Sequence, residues 1–458
     1  MELRLDEIAQ NTAGQILQGE PSRTFQDYNI DSRISKPGEL FFAIVAQRDG
    51  HDYVPNALAQ GAAGAVVSRP VPLADPTSAV LLVDETLEAL QALAHQVVQK
   101  LDTRIIGITG SVGKTTTKEF LYSLLSTSFP TFKSSGNFNN HLGLPLSLLH
   151  LAPQDEWAVL EYGMSHAGEI AALTRIAAPD IAVLTNIKPV HLEFFSGLHE
   201  IALAKKEILD GMKPDGTAVL NGDDPLVREI SQDHIGTTIF FGSDENCSIR
   251  ACNLQPCGWK GITFDLVYGE NCSPIELPFF NQAHLQNFLA AAAAAFVCGV
   301  PLERIQTQAL KLKPFDKRGQ VYSLENNIRI IDDSYNSNPA ALSLALESLA
   351  KLPGERKVVI LGDMLELGEQ EKDFHVQAGK EITKLGLGFL LTVGSLGRFI
   401  ATGALSAGMK TENILSFADS DTAAEEIQSL LKEGDVVLVK GSRGVGMDRI
   451  VTKLLERG

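Results

Sequence analysis

Residues 104–119, RIIGITGSVGKTTTKE, decide how this chain is read. Ile105-Ile106-Gly107-Ile108 is an apolar run of strand length; it breaks at Thr109-Gly110-Ser111-Val112-Gly113-Lys114-Thr115 and gives way to a helix. Glycines at such a turn let backbone N–H groups point inward, and the helix start adds partial positive charge, so the segment suits an anion. In that arrangement Lys114 reaches the terminal phosphates and the Thr115 hydroxyl ligates Mg²⁺. The loop is one residue shorter than the common pattern, whose first glycine would fall on Ile108. Between a strand and a helix it still reads as a phosphate loop, so ATP and Mg²⁺ are the expected cofactors.

Outward from the loop, composition narrows what the phosphate serves. A chain of 458 residues holds more than one core. Its 44% hydrophobic and 21% charged content is that of a globular protein. The net charge of −17 disfavours a nucleic-acid backbone as principal partner, although local lysines, arginines and Mg²⁺ can still bind small anions. Residues 1–20 carry no basic flank followed by an apolar core, and the longest apolar run, 288–300, is too short for a bilayer. The expectation is a monomeric cytoplasmic enzyme without membrane insertion. Four cysteines cluster at Cys247, Cys252, Cys257 and Cys272, with gaps of four, four and fourteen residues. Structural zinc sites favour two to four residues within each pair, so free thiols on a β-rich segment are expected.

The pattern divides into three α/β units, at 1–84, 85–313 and 314–458. The first has short strands at 40–44, 65–67 and 80–83 and a helix at 55–60. A helix at 86–100 leads into the loop strand. Strands at 158–161, 181–185 and 218–220 then alternate with helices at 114–126, 168–177 and 200–212, which implies a mainly parallel sheet with ligands at its carboxyl edge. Residues 237–280 read as β-rich, and the alanines at 290–295 as a closely packed helix. Beyond Lys313-Pro314, strands at 358–361, 389–393 and 436–439 with helices at 372–384 and 422–431 make a second open α/β sheet. With no low-complexity linker, the units are expected to meet around a shared cleft.

Polar residues gather where these strands end. Glu161 closes WAVLE, and Asn186 to His191 follow IAVLT; a carboxylate and an imidazole there suit Mg²⁺ and γ-phosphate placement. Ser135-Gly136-Asn137-Phe138-Asn139-Asn140-His141 is either a helix-capping loop or a source of amides beside the phosphates. Lys205 and Lys206, on a helix with a large apolar face, are solvated lysines by default. Asp332 and Asp333 end an apolar strand and lead into Ser334-Tyr335-Asn336-Ser337-Asn338-Pro339; two aspartates there are costly to bury without partners, which points to function.

Together these segments resemble the Mur ligase family, ATP-dependent amide-forming enzymes of peptidoglycan precursor synthesis. TGSVGKTTTKE, SGNFNNHLGLPLSLL, VLEYGMSHAGEI, LTNIKPVHLEFF and ALAKKEI look like its central-domain motifs, in order. DDSYNSNP, LGDMLELGEQEKDFH and VKGSRGVGMDRI are similar to the branch that adds D-alanyl-D-alanine to UDP-N-acetylmuramoyl-tripeptide; the sister branch has a DYAH-type motif and a DNPR-like segment that this chain lacks. The resemblance implies a small UDP-binding α/β domain, a central P-loop ATPase-like domain and a C-terminal Rossmann-like domain that receives the dipeptide. It implies that Thr109 to Thr115 hold ATP, with Arg318 and Asp333 meeting the nucleotide on closure. It gives Lys114 a catalytic role, and it assigns Thr115, Glu161, His191 and Lys205 to the metals and the transferred phosphoryl, Lys205 as a carbamate. Asp31, Ser32 and Arg33 look like the UDP-sugar motif, and Asn137, Asn140 and Asn336 are placed with the substrates. Two departures stand out: VAQRDGHDY lacks a glycine usual near Ala46, and in NQAHLQN, where an adenine-side His-Asn pair is expected, Leu285 follows His284. Folylpolyglutamate synthase shares the loop but does not account for DSRISKPGELFFAI. A nucleotide-dependent switch would leave the last domain unexplained.

Overall fold

The structure is a computed structural model and describes residues 1–72 and 76–456. Beside a two-stranded ribbon of Leu3–Arg4 and Thr24–Phe25, three larger sheets succeed one another along the chain. In the first, Gln15–Gln18 pairs antiparallel with Ala79–Leu82, and Gly64–Val67, Leu40–Phe42 and Tyr28–Asn29 continue in parallel. The central sheet has nine strands. Arg104–Thr109 lies between Trp157–Glu161 and Ile181–Leu184, all parallel. The sheet ends in the antiparallel strands Ile249–Pro256, Ile262–Tyr268 and Asn271–Leu277. In the third, Arg329–Asp333, Asp435–Lys440, Arg356–Gly362, Phe389–Val393 and Ile414–Phe417 run parallel, with Gln320–Ser323 as an antiparallel edge.

The long strands are those with continuous apolar runs, because helices cover both faces of a parallel sheet. Residues 105–109 and every residue of Trp157–Glu161 are buried. The helix Lys114–Leu125 packs against Gln282–Val297, whose six consecutive alanines are wholly buried. Alanine lets the two axes approach, bringing Asn287 up to the phosphate loop. Thr86–Lys100 packs on Leu5–Asn11, Gly143–Leu148 and Glu169–Ile176, so one hydrophobic core runs from the first unit into the central one.

The sequence pattern leaves several edges unread, namely Gln15–Gln18, Thr131–Lys133, Gln320–Ser323, Ile414–Phe417 and the helix Gly397–Ser406. The strands are short, partly exposed and lie at or beside sheet margins, where polar residues dilute the apolar signal. All five cysteines are free, and among the described residues no group of three or more His, Cys, Asp or Glu is arranged around a metal position. Among the same residues no helix is long and apolar enough to cross a membrane.

Contacts between the last two units are specific. Trp259 Nε1 donates to Pro353 O at 3.1 Å, and the Arg329 guanidinium stacks on the Trp259 ring at 4.5 Å. The carboxyl edge of the central sheet thereby faces that of the third.

Candidate active site

Gly113 adopts φ +90°, and a side chain there would collide with the Asn287 carboxamide. Glycine is therefore required both by conformation and by the close approach of the alanine-rich helix. The first helical bond runs from Thr117 N to Gly113 O at 2.8 Å, so the N–H groups of Lys114, Thr115 and Thr116 are left for another acceptor. The rest of the loop is braced. Ser111 N donates to Asn186 O at 2.9 Å, Val112 N to Asn186 Oδ1 at 3.0 Å, and Thr185 Oγ1 to Val112 O at 2.7 Å. Thr109 Oγ1 donates to Tyr162 O at 2.8 Å and ties the loop strand to its neighbour.

The Lys114 ammonium is folded back onto Gly110 O at 2.8 Å and forms no ion pair within 4 Å among the described residues. Burial pulls its pKa below that of an ordinary lysine; the Glu161 charge opposes this and Arg318 adds to it. A desolvated ammonium held only by a carbonyl gains most from an arriving anion.

Parallel register puts Glu161 beside Ile108, one residue before the loop begins. Glu161 is buried; Oε2 accepts from Thr115 Oγ1 at 2.9 Å and Oε1 from Asn139 Nδ2 at 2.9 Å. The 2.9 Å between Thr115 Oγ1 and Glu161 Oε2 fits Mg²⁺, since oxygens about 2.0–2.1 Å from an octahedral ion lie about 2.9 Å apart when adjacent. The donor set, a hydroxyl and a carboxylate, is that of a hard cation. Arg318 Nη2 also donates to Thr115 Oγ1, at 3.2 Å, while its guanidinium stacks on Tyr335 at 4.1 Å. Arg318 thus carries the third unit onto the loop hydroxyl.

On the third sheet, parallel pairing sets Asp333 against Lys440, and Lys440 Nζ reaches Asp333 Oδ2 at 2.7 Å. Lys440 also donates to Asn336 O at 3.0 Å, and Asn336 Oδ1 accepts from Ser337 N at 2.9 Å. Asp332 turns away and binds the Ser334 hydroxyl, its pKa raised mainly by burial.

One cavity of about 260 Å³ collects this machinery, with Lys114, Glu161, His191, Arg318, Asp333 and Asn336 in its wall. Asn137 and Asn139 line it as well, from the 135–141 loop. That loop is anchored by Lys118, whose buried ammonium donates to Ser134 O and Gly136 O, both at 2.8 Å. His284 and Asn287 close the other side, and His284 also borders a second cavity of about 500 Å³ walled by Trp259, Phe279 and Phe280.

Other predicted residues fall elsewhere. Asn140 is not in the cavity wall; its carboxamide accepts from Leu142 N and Gly143 N and caps the helix Gly143–Leu148. Lys206 is the solvated lysine, paired with Asp210 and Asp233 at 3.1 Å. Lys205, its neighbour, corrects the default reading: it is buried, without an acidic partner among the described residues, and desolvation plus the Lys114 charge hold its pKa well below the ordinary value. Asp31, Ser32 and Arg33 lie on the first unit, outside this cavity. Arg33 chelates Asp31 from an exposed position, and Asn56 Nδ2 donates to the buried Ser32.

Sequence reasoning passed over Lys118 and Lys440, and from the asparagine loop it selected Asn137 and Asn140 but not Asn139. For Lys440 the signal was present, since VVLVK ends an apolar strand on a charge just as RIIDD does. Asn139 differs from Asn140 only in which way a turn points it.

His284 supplies a pH prediction. Burial pushes its pKa down to about 4, with the Asp333 charge and the Arg318 backbone opposing and the Arg318 charge assisting. Between about 6.5 and about 4 the unfolded chain carries this proton and the folded chain does not, so stability falls as the pH drops through that window. Chemical unfolding at pH 7 and pH 5 is expected to show a smaller loss in His284→Gln than in the parent; an equal loss contradicts the assignment.

Fold and site define a phosphate-loop enzyme of three α/β units whose nucleotide machinery is completed by the last unit. Residues 108–295 match the family model for the Mur ligase middle domain, and 317–443 that for the Mur ligase, glutamate ligase domain. A UDP-N-acetylmuramoyl-tripeptide–D-alanyl-D-alanine ligase of Bacillus subtilis (strain 168) is 36% identical over 93% of this chain and 92% of its own length. The crystal structure of MurF from Acinetobacter baumannii superposes with a TM-score of 0.90 at 30% identity, covering 100% of this chain and 99% of that one. MurF ligase from Thermotoga maritima, in complex with ADP, gives 0.83 at 30% identity over 94% and 99%. The chain belongs to the Mur ligase family.

Proposed function

We propose that the chain joins D-alanyl-D-alanine to the terminal carboxylate of UDP-N-acetylmuramoyl-tripeptide at the expense of ATP, a cytoplasmic step of peptidoglycan synthesis. The observation that carries this reading is the chain of contacts Arg318–Thr115–Glu161–Asn139, which ties the third unit, the phosphate loop and the asparagine loop to one cavity. Relatives named for this reaction over nearly the full length support it. Residues 1–84 receive the UDP-sugar through the Asp31-Ser32-Arg33 segment, 85–313 hold ATP, and 314–458 bring the dipeptide.

A free carboxylate is a poor electrophile because oxide does not leave from it. The tripeptide carboxylate oxygen attacks the γ-phosphorus, ADP departs, and an acyl phosphate results. The dipeptide amine then attacks the acyl carbon, phosphate leaves with the electron pair, and the amine proton is lost. Lys114 and the free N–H groups at the helix start hold the β- and γ-phosphates in place. Thr115 and Glu161 are the residues that would hold Mg²⁺, which when bound offsets negative charge on the phosphoryl oxygens. Arg318 reaches the same oxygens from the third unit, and the adenine extends past His284 toward the aromatic cavity. Docking of the third unit shields the acyl phosphate from water.

Lys205 and His191 join this site as further anion-handling groups. His191 feels the charges of Lys114 and Lys205, and Lys205 that of Lys114. A neutral Lys205 amine can attack CO₂, form an N–C bond and lose a proton, and the resulting carbamate is an anion among cations and able to ligate Mg²⁺. Lys205→Ala is expected to be nearly inactive and partly rescued by short carboxylic acids. Absence of rescue, with an unmodified amine by mass spectrometry of the native protein, contradicts the carbamate.

The reaction is tested by a matrix of UDP-muramoyl peptides against D-Ala-D-Ala, single amino acids and other amines, read by mass spectrometry. Product is expected with the tripeptide and dipeptide together. A preference for glutamate, diaminopimelate or lysine as the amine would move the chain to another branch of the family.

A further inference from the structure

His191 has an unusual environment. It sits at φ +55°, and its Nδ1 lies 2.6 Å from Oε2 of Glu366, a residue of the third unit itself at φ +62°. The approach does not meet hydrogen-bond angles, and Nδ1 has no other polar partner among the described residues. Two non-glycine residues in the left-handed region, facing one another across a domain contact, are held there by their surroundings.

The segment presenting Glu366 is rigid. Met364 N donates to the buried His375 Nε2 at 2.9 Å, and Leu365 N donates to Ser442 Oγ at 2.9 Å. Just upstream, Asp363 accepts from Leu396 N at 3.0 Å and Gly397 N at 2.7 Å. Just downstream, Gly368 packs so closely on the opposite loop that a Cβ would lie 3.3 Å from Leu192 O and 3.5 Å from the Glu193 Cα. Backbone of the two units therefore meets just downstream of the Glu366–His191 contact, while bonds within the third unit brace the residues upstream of Glu366.

We propose that Glu366 is a positioning residue for His191: held by the docked third unit, its carboxylate fixes the imidazole through Nδ1 and leaves Nε2 directed at the phosphoryl-transfer site. A carboxylate on the far nitrogen is the usual device for orienting a histidine that serves a metal or phosphoryl group. Here the carboxylate belongs to a different domain, so His191 is set only when that domain is in place, and docking is coupled to assembly of the site. The proposal rests on the role given to His191 above.

The test uses the full-length chain in a double-mutant cycle with kinetics and hydrogen exchange. Glu366→Ala is expected to lower kcat about 10- to 100-fold, the range for losing such an orienting partner, with KM for the UDP-precursor within about twofold. In a His191→Ala background the same change is expected to cost nothing further, because the two residues act as one unit. Without any ligand, the Phe194 amide, which donates to His191 O at 2.9 Å, is expected to exchange faster in Glu366→Ala. Glu366→Gln, which keeps the length, is expected to show the same pattern with a smaller loss and carries the test if the alanine variant does not fold. Additive losses, an unchanged kcat or an unchanged Phe194 exchange would each overturn the proposal. Should the parent chain make no amide, the functional reading fails, and the exchange measurement alone decides whether Glu366 holds His191.

Discussion

Lys114→Ala is expected to lower ligation by about 10²–10³-fold, the cost of removing one pre-set electrostatic donor from a developing negative charge. The ammonium is already in the cavity wall, half-buried, and spends its hydrogen bond on the Gly110 carbonyl. It has therefore been desolvated in advance and needs no rearrangement to meet a phosphate. Its loss bears on phosphoryl transfer and on nucleotide affinity, whereas the Asp31-Ser32-Arg33 turn follows a strand of a separate sheet. Binding of the UDP-precursor, read by calorimetry, is expected to stay within about threefold of the parent, the variation of an untouched site. Equal loss of both would contradict the division of labour between the first and second units. The variant should also fold normally, because removing a half-buried ammonium with no acidic partner relieves a desolvation cost.

Glu161→Gln is expected to cost about 10²-fold or more in kcat/KM, because a metal-facing carboxylate contributes several kcal/mol to charge placement. Glutamine keeps the shape but not the charge, and its amide nitrogen must face either the Thr115 hydroxyl or the Asn139 amide, both of which donate to the native carboxylate. The apparent Mg²⁺ requirement should rise, with activity partly recovered at high Mg²⁺. Loss of activity with an unchanged Mg²⁺ profile would show that Glu161 acts only by bracing Thr115 and Asn139.

Glu161 was legible in the sequence because it ends an apolar run, and Lys114 because it closes the glycine loop that follows one. A parallel strand buried on both faces must end in its ligands, so the last apolar residue of 105–108, 158–160 and 330–331 points at the site. The same logic places the central and third sheets but loses the edges: Gln15–Gln18 and Ile414–Phe417 pair on one side only and need no continuous apolar run. Residues that reach the site from loops resist such reading. Asn139 and Asn140 are chemically identical neighbours, and only the turn that caps Gly143–Leu148 sends one to Glu161 and the other to the helix. Lys205 and Lys206 are likewise adjacent, and a rotation of about 100° around the helix decides which is buried. His284 was named but left out of the site because its neighbours depart from the expected His-Asn order, yet the helix packing brings it to the cavity wall. Glu366 carries no sequence signal for its contact, since its partner is 175 residues away and is reached only through domain docking.

On the proposed route the γ-phosphoryl of ATP passes to the tripeptide carboxylate before the amide forms. UDP-N-acetylmuramoyl-tripeptide carrying ¹⁸O in its terminal carboxylate, supplied with ATP and D-alanyl-D-alanine, reports this through the released phosphate, analysed by mass spectrometry. One ¹⁸O is expected in phosphate for every amide formed, because the carboxylate oxygen that attacked phosphorus leaves with it. Amide formation with unlabelled phosphate would rule out the acyl phosphate.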